Sequence, residues 1–245
     1  MSKKVSGVVK FRTVLDGLCV ALFAGLFAAG KIQLWFALFA IGVLVSAVAG
    51  RFYCGWVCPM HTLMRPVDVL YKKLARRGRG EGSRRAGRGI YQAGRTGRRP
   101  APSVLTGAAA RYGFLILFLT SAVSQKVIGF RAPVLPILTG LALVLVLFFE
   151  EQWWHSGLCP FGTVLKGASS RAKFGMQIDA DACTGCGICE AACPADAIGV
   201  VSENMVKADG NPAGQVRRIR TADCLTCFAC AKACPRDAIS YGVLR

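Results

Sequence analysis

The sequence predicts an α-helical membrane protein of four transmembrane helices, arranged as two parallel hairpin repeats, followed by a small C-terminal α+β domain. Three observations lead there: apolar and basic residues that are both abundant and segregated, four separate apolar runs, and a cysteine pattern written twice near the end. Of the 245 residues, 53% are hydrophobic, yet the formal net charge is +18, and the mean hydropathy is +0.44. A single soluble core tolerates that combination poorly, so the two classes of residue must occupy different parts of the chain.

The apolar runs lie at 14–29, 34–49, 112–125 and 133–149. Each is near the lower limit of about 17–25 residues for a helix that spans a bilayer. Lys3, Lys4, Lys10 and Arg12 precede the first run, as they would in a signal peptide. However, Gly30-Lys31-Ile32-Gln33 turns directly into the second run and no small-x-small cleavage site intervenes, so the first helix reads as retained.

Lysine and arginine set the orientation. The loop from 51 to 111 carries fourteen of them against Asp68 and Glu81, whereas the opposite turns carry only Lys31, Lys126 and Arg131. Both termini and the long loop are therefore expected on the cytoplasmic side of a bacterial inner membrane. The Arg/Gly-rich stretch at 76–102 reads as a flexible loop. Beside a bilayer its charge is expected to act as a topology signal that touches anionic lipid headgroups, not as a nucleic-acid site. The domain boundary falls at 170/171.

The tail carries "CTGCGICEAACP", with Cys183, Cys186, Cys189 and Cys193, and "CLTCFACAKACP", with Cys224, Cys227, Cys230 and Cys234. The offset is 41 residues throughout and extends to Pro194–Ile198 against Pro235–Ile239, which marks an internal duplication. An iron cubane needs four converging thiolates: three from a tight C-x-x-C-x-x-C loop and one from elsewhere. In the bacterial pattern the cysteine that precedes proline serves the other cluster. Cluster 1 is thus expected to take Cys183, Cys186, Cys189 and Cys234; cluster 2, Cys224, Cys227, Cys230 and Cys193. A zinc site or redox disulfides would not require two complete copies of the pattern. Over about 175–243 the tail resembles a bacterial two-cluster 4Fe-4S ferredoxin, whose work is one-electron transfer.

The membrane part also repeats. "RFYCGWVCPMHTLMRP" at 51–66 aligns with "QWWHSGLCPFGTVLKG" at 152–167 with an offset of 101 residues. Cys58-Pro59 falls on Cys159-Pro160, Thr62 on Thr163 and Arg65 on Lys166, and each copy follows the second helix of a hairpin. Parallel repeats of this kind are related by an axis along the membrane normal, which would bring both C-P motifs together at the cytoplasmic surface. Where the first copy has Cys54 the second has His155. Cys54, Cys58, Cys159 and His155 therefore form a candidate third cluster or metal site. Three other readings stay open: a Cys54–Cys58 disulfide, disfavoured in a cytoplasmic setting; a structural remnant; and a contact with a partner subunit's cofactor.

Four membrane helices, a C-x-x-x-C-P motif, its related second copy and a terminal two-cluster ferredoxin resemble the NapH type of membrane ferredoxin, the quinol-dehydrogenase component of periplasmic nitrate respiration. The membrane and ferredoxin parts of NosR are similar. The resemblance implies electron exchange between quinone, or cytoplasmic donors, and a partner redox subunit: a flavoprotein, cytochrome or iron-sulfur protein. It also implies cysteine where this chain has His155. Nothing between the helices fits the flavin-bearing domain of NosR, so a separate partner would have to supply that role.

No C-x-x-C-H motif for covalent haem occurs. The two histidines, His61 and His155, lie at or beyond the predicted membrane edge, which disfavours membrane b-haem. Asp16 is expected at a helix boundary in a snorkelling, hydrogen-bonding or proton-handling role. Glu150 and Glu151 read as solvated boundary charges or parts of a quinone or proton site. Cys19 reads as packing, and Trp35, Trp56, Trp153 and Trp154 as an interfacial belt. The function classes that remain are a membrane electron-transfer subunit of an oxidoreductase complex, an accessory electron donor for metalloenzyme maturation, and a ferredoxin on a passive anchor.

Overall fold

Helix formation begins well upstream of the first apolar run. A computed structural model of the chain describes residues 3–77, 107–128, 134–149, 151–200 and 217–244. Beyond residue 77, the Arg/Gly-rich loop expected at 76–102 lies outside the described residues, as does Glu150. Helix α1, Lys3–Ala28, is 26 residues long. Nothing in its basic entry breaks a helix, so entry and apolar run form one rod. Arg12 and Asp16 fall one turn apart on it, 3.6 Å from each other. Its end is closed by Gly30 at φ +67°. The Lys31 amide donates to the Leu26 carbonyl at 2.8 Å and the Gly30 amide to Phe27 at 3.0 Å, the bond pair of a Schellman cap.

Helix α2, Leu34–Ala49, leads into the short α3, Phe52–Trp56, and then α4, Pro59–Arg77. The second half runs through α5, Ala108–Ile128, α6, Val134–Phe148, and the single turn α7, Glu151–Trp153. A π-helical turn over Trp154–Leu158 and α8, Pro160–Ser169, complete it. The buried stripe of α6, Leu135, Leu138, Thr139, Ala142 and Val146, has the three-and-four spacing of one helix face, and α4 packs along it.

Among the described residues only Val5–Ala28 is long and apolar enough to cross a membrane; Leu34–Ala49, Ala108–Ser121 and Val134–Phe148 are apolar but shorter. Many outward-facing positions on all four are apolar. Leu18, Leu44, Leu117 and Phe148 are 63%, 74%, 64% and 64% exposed, and contiguous surface of this kind meets lipid or protein rather than water.

Among its described residues the tail has two antiparallel pairs. Strand β1, Phe174–Ile178, pairs with β4, Ile239–Val243, placing Phe174 opposite Val243 and Ile178 opposite Ile239. Strand β2, Ile198–Val200, pairs with β3, Arg217–Ile219. Each cysteine loop runs into a short helix, α9 at Ile188–Ala192 and α10 at Ala229–Ala233. In the first loop Gly185 and Gly187 take left-handed φ values of 71° and 77°; in the second, Thr226 and Phe228 take 52° and 59°. The duplicated loop thus keeps its path even where side chains make it costly.

One hydrophobic cluster unites the halves. It holds Trp35, Tyr53, Cys54, Cys58, Trp154 and Cys159 of the helical part together with Ala195, Leu225 and Cys227 of the tail. The end of α2 leaves carbonyls without helical partners. Lys173 N donates to Val48 O and Tyr241 Oη to Ala49 O, both at 3.0 Å. Trp56 Nε1 donates to Thr226 O at 3.0 Å, and Lys166 Nζ lies 2.6 Å from Asp223. The tightest approach is at Gly55, where an added Cβ would collide with the Leu225 carbonyl.

That collision is with backbone, which has nowhere to turn. Gly55→Ala is expected to destabilise the protein by about 1–3 kcal/mol, read as a lowered Tm in detergent, while Gly25→Ala, which meets nothing within 4 Å, leaves Tm in place. Equal Tm values for both variants would contradict the packing.

Candidate metal centres

The cysteines of the tail surround two cavities. Cys183, Cys186, Cys189 and Cys234 line one, with about 350 Å³ free of protein atoms. Cys193, Cys224, Cys227 and Cys230 line the other, with about 310 Å³. Each cavity takes three thiols from one loop and a fourth from the other copy. Backbone amides aim at sulfur: Thr226 N donates to Cys224 Sγ at 3.4 Å and Ala197 N to Cys193 Sγ at 3.3 Å. Burial pushes the Cys193 thiol up to about 11 and those of Cys189 and Cys224 up to about 12. Metal would have to displace these protons, and four convergent sulfurs with amide donors are a donor set that an iron-sulfur cluster fits.

The third thiol group owes its shape to the C-P dipeptides. Proline forces the preceding residue out of the helical region and opens a helix at its own position. Cys159 accordingly sits extended, at φ −61° and ψ 116°, as N-cap of α8, and its Sγ accepts from Gly162 N at 3.4 Å. In both copies a wide turn precedes the cysteine: Cys58 N donates to Tyr53 O, and Cys159 N to Trp154 O, each at 3.0 Å. Thr62 and Thr163 then bond back to the Cys58 and Cys159 carbonyls, with Oγ1 distances of 3.3 and 3.1 Å. Both thiols therefore stand at the N-terminus of a multi-turn helix, where amide dipoles favour an anion.

Cys54, Cys58 and Cys159 are all buried in the shared cluster. Burial pushes Cys159 up to about 12, and Cys54 adds to it. Cys58 is raised by burial first, then by Cys54 and Cys159, against the amides of His61 and Met60. As bare thiols Cys58 and Cys159 would be neutral at pH 7, and that leaves Arg51 in difficulty. Arg51 is 1% exposed. Its Nη2 lies 3.7 Å from Cys54 Sγ and 3.5 Å from the His155 carbonyl, and its Nε has no partner. Among the described residues no carboxylate pairs with it. A buried cation without an anion costs several kcal/mol. Thiolates binding metal supply that anion, so the residues fit such a centre.

His155 goes elsewhere. Its Nε2 lies 3.2 Å from Glu151 Oε1, four residues back along the turn, and its ring centroid is 5.3 Å from that of His61. Spacing assigns His155 to the thiol set, whereas the side-chain geometry ties it to Glu151, which the sequence reads as a solvated boundary charge or part of a quinone or proton site. Glu151 is in fact buried at 4% exposure. His61, Glu151 and His155 present donor atoms within 4.8 Å of one another, yet Arg12 tells against a metal there. Arg12 Nη2 lies 3.3 Å from His61 Nδ1. A guanidinium only donates, so Nδ1 accepts and the proton of the neutral ring sits on Nε2, facing Glu151 at 3.9 Å. Burial, then His155, Arg12 and Arg65, hold the His61 pKa well below its ordinary value. A protonated Nε2 has no lone pair to give a metal.

The tryptophans differ from expectation, whereas Cys19 packs as the sequence predicts. The four tryptophans are buried, not a surface belt, and Trp35 Nε1 donates to Tyr53 Oη at 2.7 Å. Asp16 is buried between Arg12 and Arg65, 3.6 and 3.7 Å away. Arg12 and Arg51 had no sequence signal beyond their charge. Cys19 packs against the core, and none of the twelve cysteines is disulfide-bonded.

Comparison with known proteins matches residues 175–235 to a 4Fe-4S dicluster domain. A 4Fe-4S binding domain matches twice, at 32–78 and 131–177, across both C-P segments. The ferredoxin-type protein NapH of Haemophilus influenzae is 30% identical over 63% of this chain and 52% of its own. The methylamine utilization ferredoxin-type protein MauN of Paracoccus denitrificans is 29% identical over 70% of this chain and 57% of its own. An uncharacterised protein of Methanocaldococcus jannaschii is 26% identical over 63% of this chain and 55% of its own. The chain thus spans little more than half the length of these relatives. No solved structure matches it.

With His155 bound to Glu151, His155→Ala is expected to leave the iron content and visible absorption of the purified protein unchanged. Loss of iron in that variant would return the imidazole to the ligand set.

Proposed function

The chain is a ferredoxin-type 4Fe-4S protein related to NapH and MauN, and from that premise we propose that it is an integral membrane electron-transfer subunit. Its four apolar helices would cross the bacterial inner membrane as two repeats, with both termini and all metal centres on the cytoplasmic face. Supporting this are the exposed apolar helix faces, the basic loop, the matched turns before Cys58 and Cys159 and the twice-matched binding domain. Two tail clusters and a third centre at Cys54, Cys58 and Cys159 would supply one-electron transfer. The far end of the path is quinone or a partner redox subunit. The relatives carry different designations, NapH and methylamine utilization, so the electron-transfer module is what they share with this chain.

The observation that carries the proposal is the junction. Gly55, between Cys54 and Cys58, lies against the Leu225 carbonyl, between Cys224 and Cys227. Arg12 donates through Nε to Gly55 O at 2.6 Å and through Nη1 to Cys227 O at 2.7 Å. Trp56 holds Thr226 O. These residues fix the two thiol loops back to back and leave no slack in their separation. A passive anchor has no use for such a fit.

Iron analysis separates the two. The full-length protein is expected to hold about twelve iron atoms per chain, falling to about eight in Cys58→Ala/Cys159→Ala with loss of one electron paramagnetic resonance component. Eight in both proteins would support the anchor.

A further inference from the structure

Three arginines are buried among the described residues: Arg12, Arg51 and Arg217, at 2%, 1% and 3% exposure. Two stand beside a carboxylate. Arg12 Nε lies 3.6 Å from Asp16, and Arg217 Nε lies 3.2 Å from Glu190. Arg217 lines the Cys183 cavity and also donates to the Gly185 carbonyl of that loop, so the cation at cluster 1 arrives already neutralised. Arg51 does not. Its Nη2 is 3.7 Å from Cys54 Sγ and 3.5 Å from the His155 carbonyl. Its neighbour Gly50, at φ +75°, packs against Thr226, where an added Cβ would stand 3.3 Å from Oγ1. One fixed charge, with no carboxylate beside it among the described residues, therefore sits where the second ferredoxin loop meets the Cys54 segment.

A positive charge in poorly solvated surroundings stabilises whichever neighbouring centre gains an electron, and raises that centre's reduction potential. Resting on the cluster assignment above, we propose that Arg51 is a positioning residue that sets the order of potentials. It holds the Cys224 cluster above the Cys183 cluster, so that an electron entering the tail settles on the side facing Cys54. Arg217 and Arg12 cannot do this, because Glu190 and Asp16 cancel them locally.

The test is potentiometric titration of the full-length protein followed by electron paramagnetic resonance, with Cys186→Ser identifying the signal of the Cys183 cluster. In the wild type the Cys224 cluster is expected to reduce first. Arg51→Gln should lower its potential and shift electron sharing between the two clusters on the order of tenfold, about 59 mV for one electron, with the Cys183 cluster unmoved. Arg51→Lys keeps the charge and should keep the wild-type order. A reversed order in the wild type, or equal shifts in Arg51→Lys and Arg51→Gln, would overturn the proposal. If Arg51→Gln fails to assemble, the wild-type order and Arg51→Lys decide. Iron below about eight atoms per chain would strike the cluster assignment itself, which keeps the two failures apart.

Discussion

The buried guanidinium of Arg12 is the contact on which the arrangement of the two halves depends. From one position on α1 it binds the carbonyl of Gly55 in the first C-P segment, the carbonyl of Cys227 in the second ferredoxin loop, and the ring nitrogen of His61 on α4. Asp16, one turn along the same helix, balances its charge. Three elements distant in sequence are thereby referred to one rigid fork. Removing one partner of such a buried group typically costs about 3–5 kcal/mol, enough to loosen the junction in a protein of ordinary stability. It also dictates the tautomer of His61, and through it the character of the whole Glu151 group.

Around that fork the chemistry of the C-P dipeptide is used twice. Proline starts α4 and α8 and leaves Cys58 and Cys159 at their N-termini, where main-chain amides point at sulfur. The same physics appears in the tail, where loops in left-handed conformations turn amides toward Cys224. In each case burial makes the free thiol a poor acid, and the amides and arginines favour the ionised, metal-bound form. Arg51 is the extreme instance, a cation that among the described residues has a sulfur and no carboxylate beside it.

How much of this was legible in the sequence depended on whether the signal was spacing or orientation. The cysteine patterns, their 41-residue offset and the C-P repeat are spacings, and the structure gathers the eight tail cysteines into two groups of four around separate cavities. His155 aligned with Cys54 by spacing alone. Its side chain follows a nearer partner, Glu151, because residues four apart on a helical turn meet before any distant thiol can compete. Arg12 and Arg51 were legible only as positive charge, since a pairing across 215 residues, from Arg12 to Cys227, leaves no local periodicity. The tryptophans misled for a related reason: residues that suit a lipid interface also suit a tightly packed junction.

The central proposal is that the ferredoxin loops and the thiols of the C-P segments form one continuous electron path. The most direct measurement is the electron paramagnetic resonance spectrum of the fully reduced full-length protein. Magnetic interaction between the Cys224 cluster and a centre at Cys54, Cys58 and Cys159, seen as splitting or broadening that disappears in Cys159→Ala, is the predicted result. A spectrum equal to the sum of isolated clusters, unchanged by that substitution, would contradict the account.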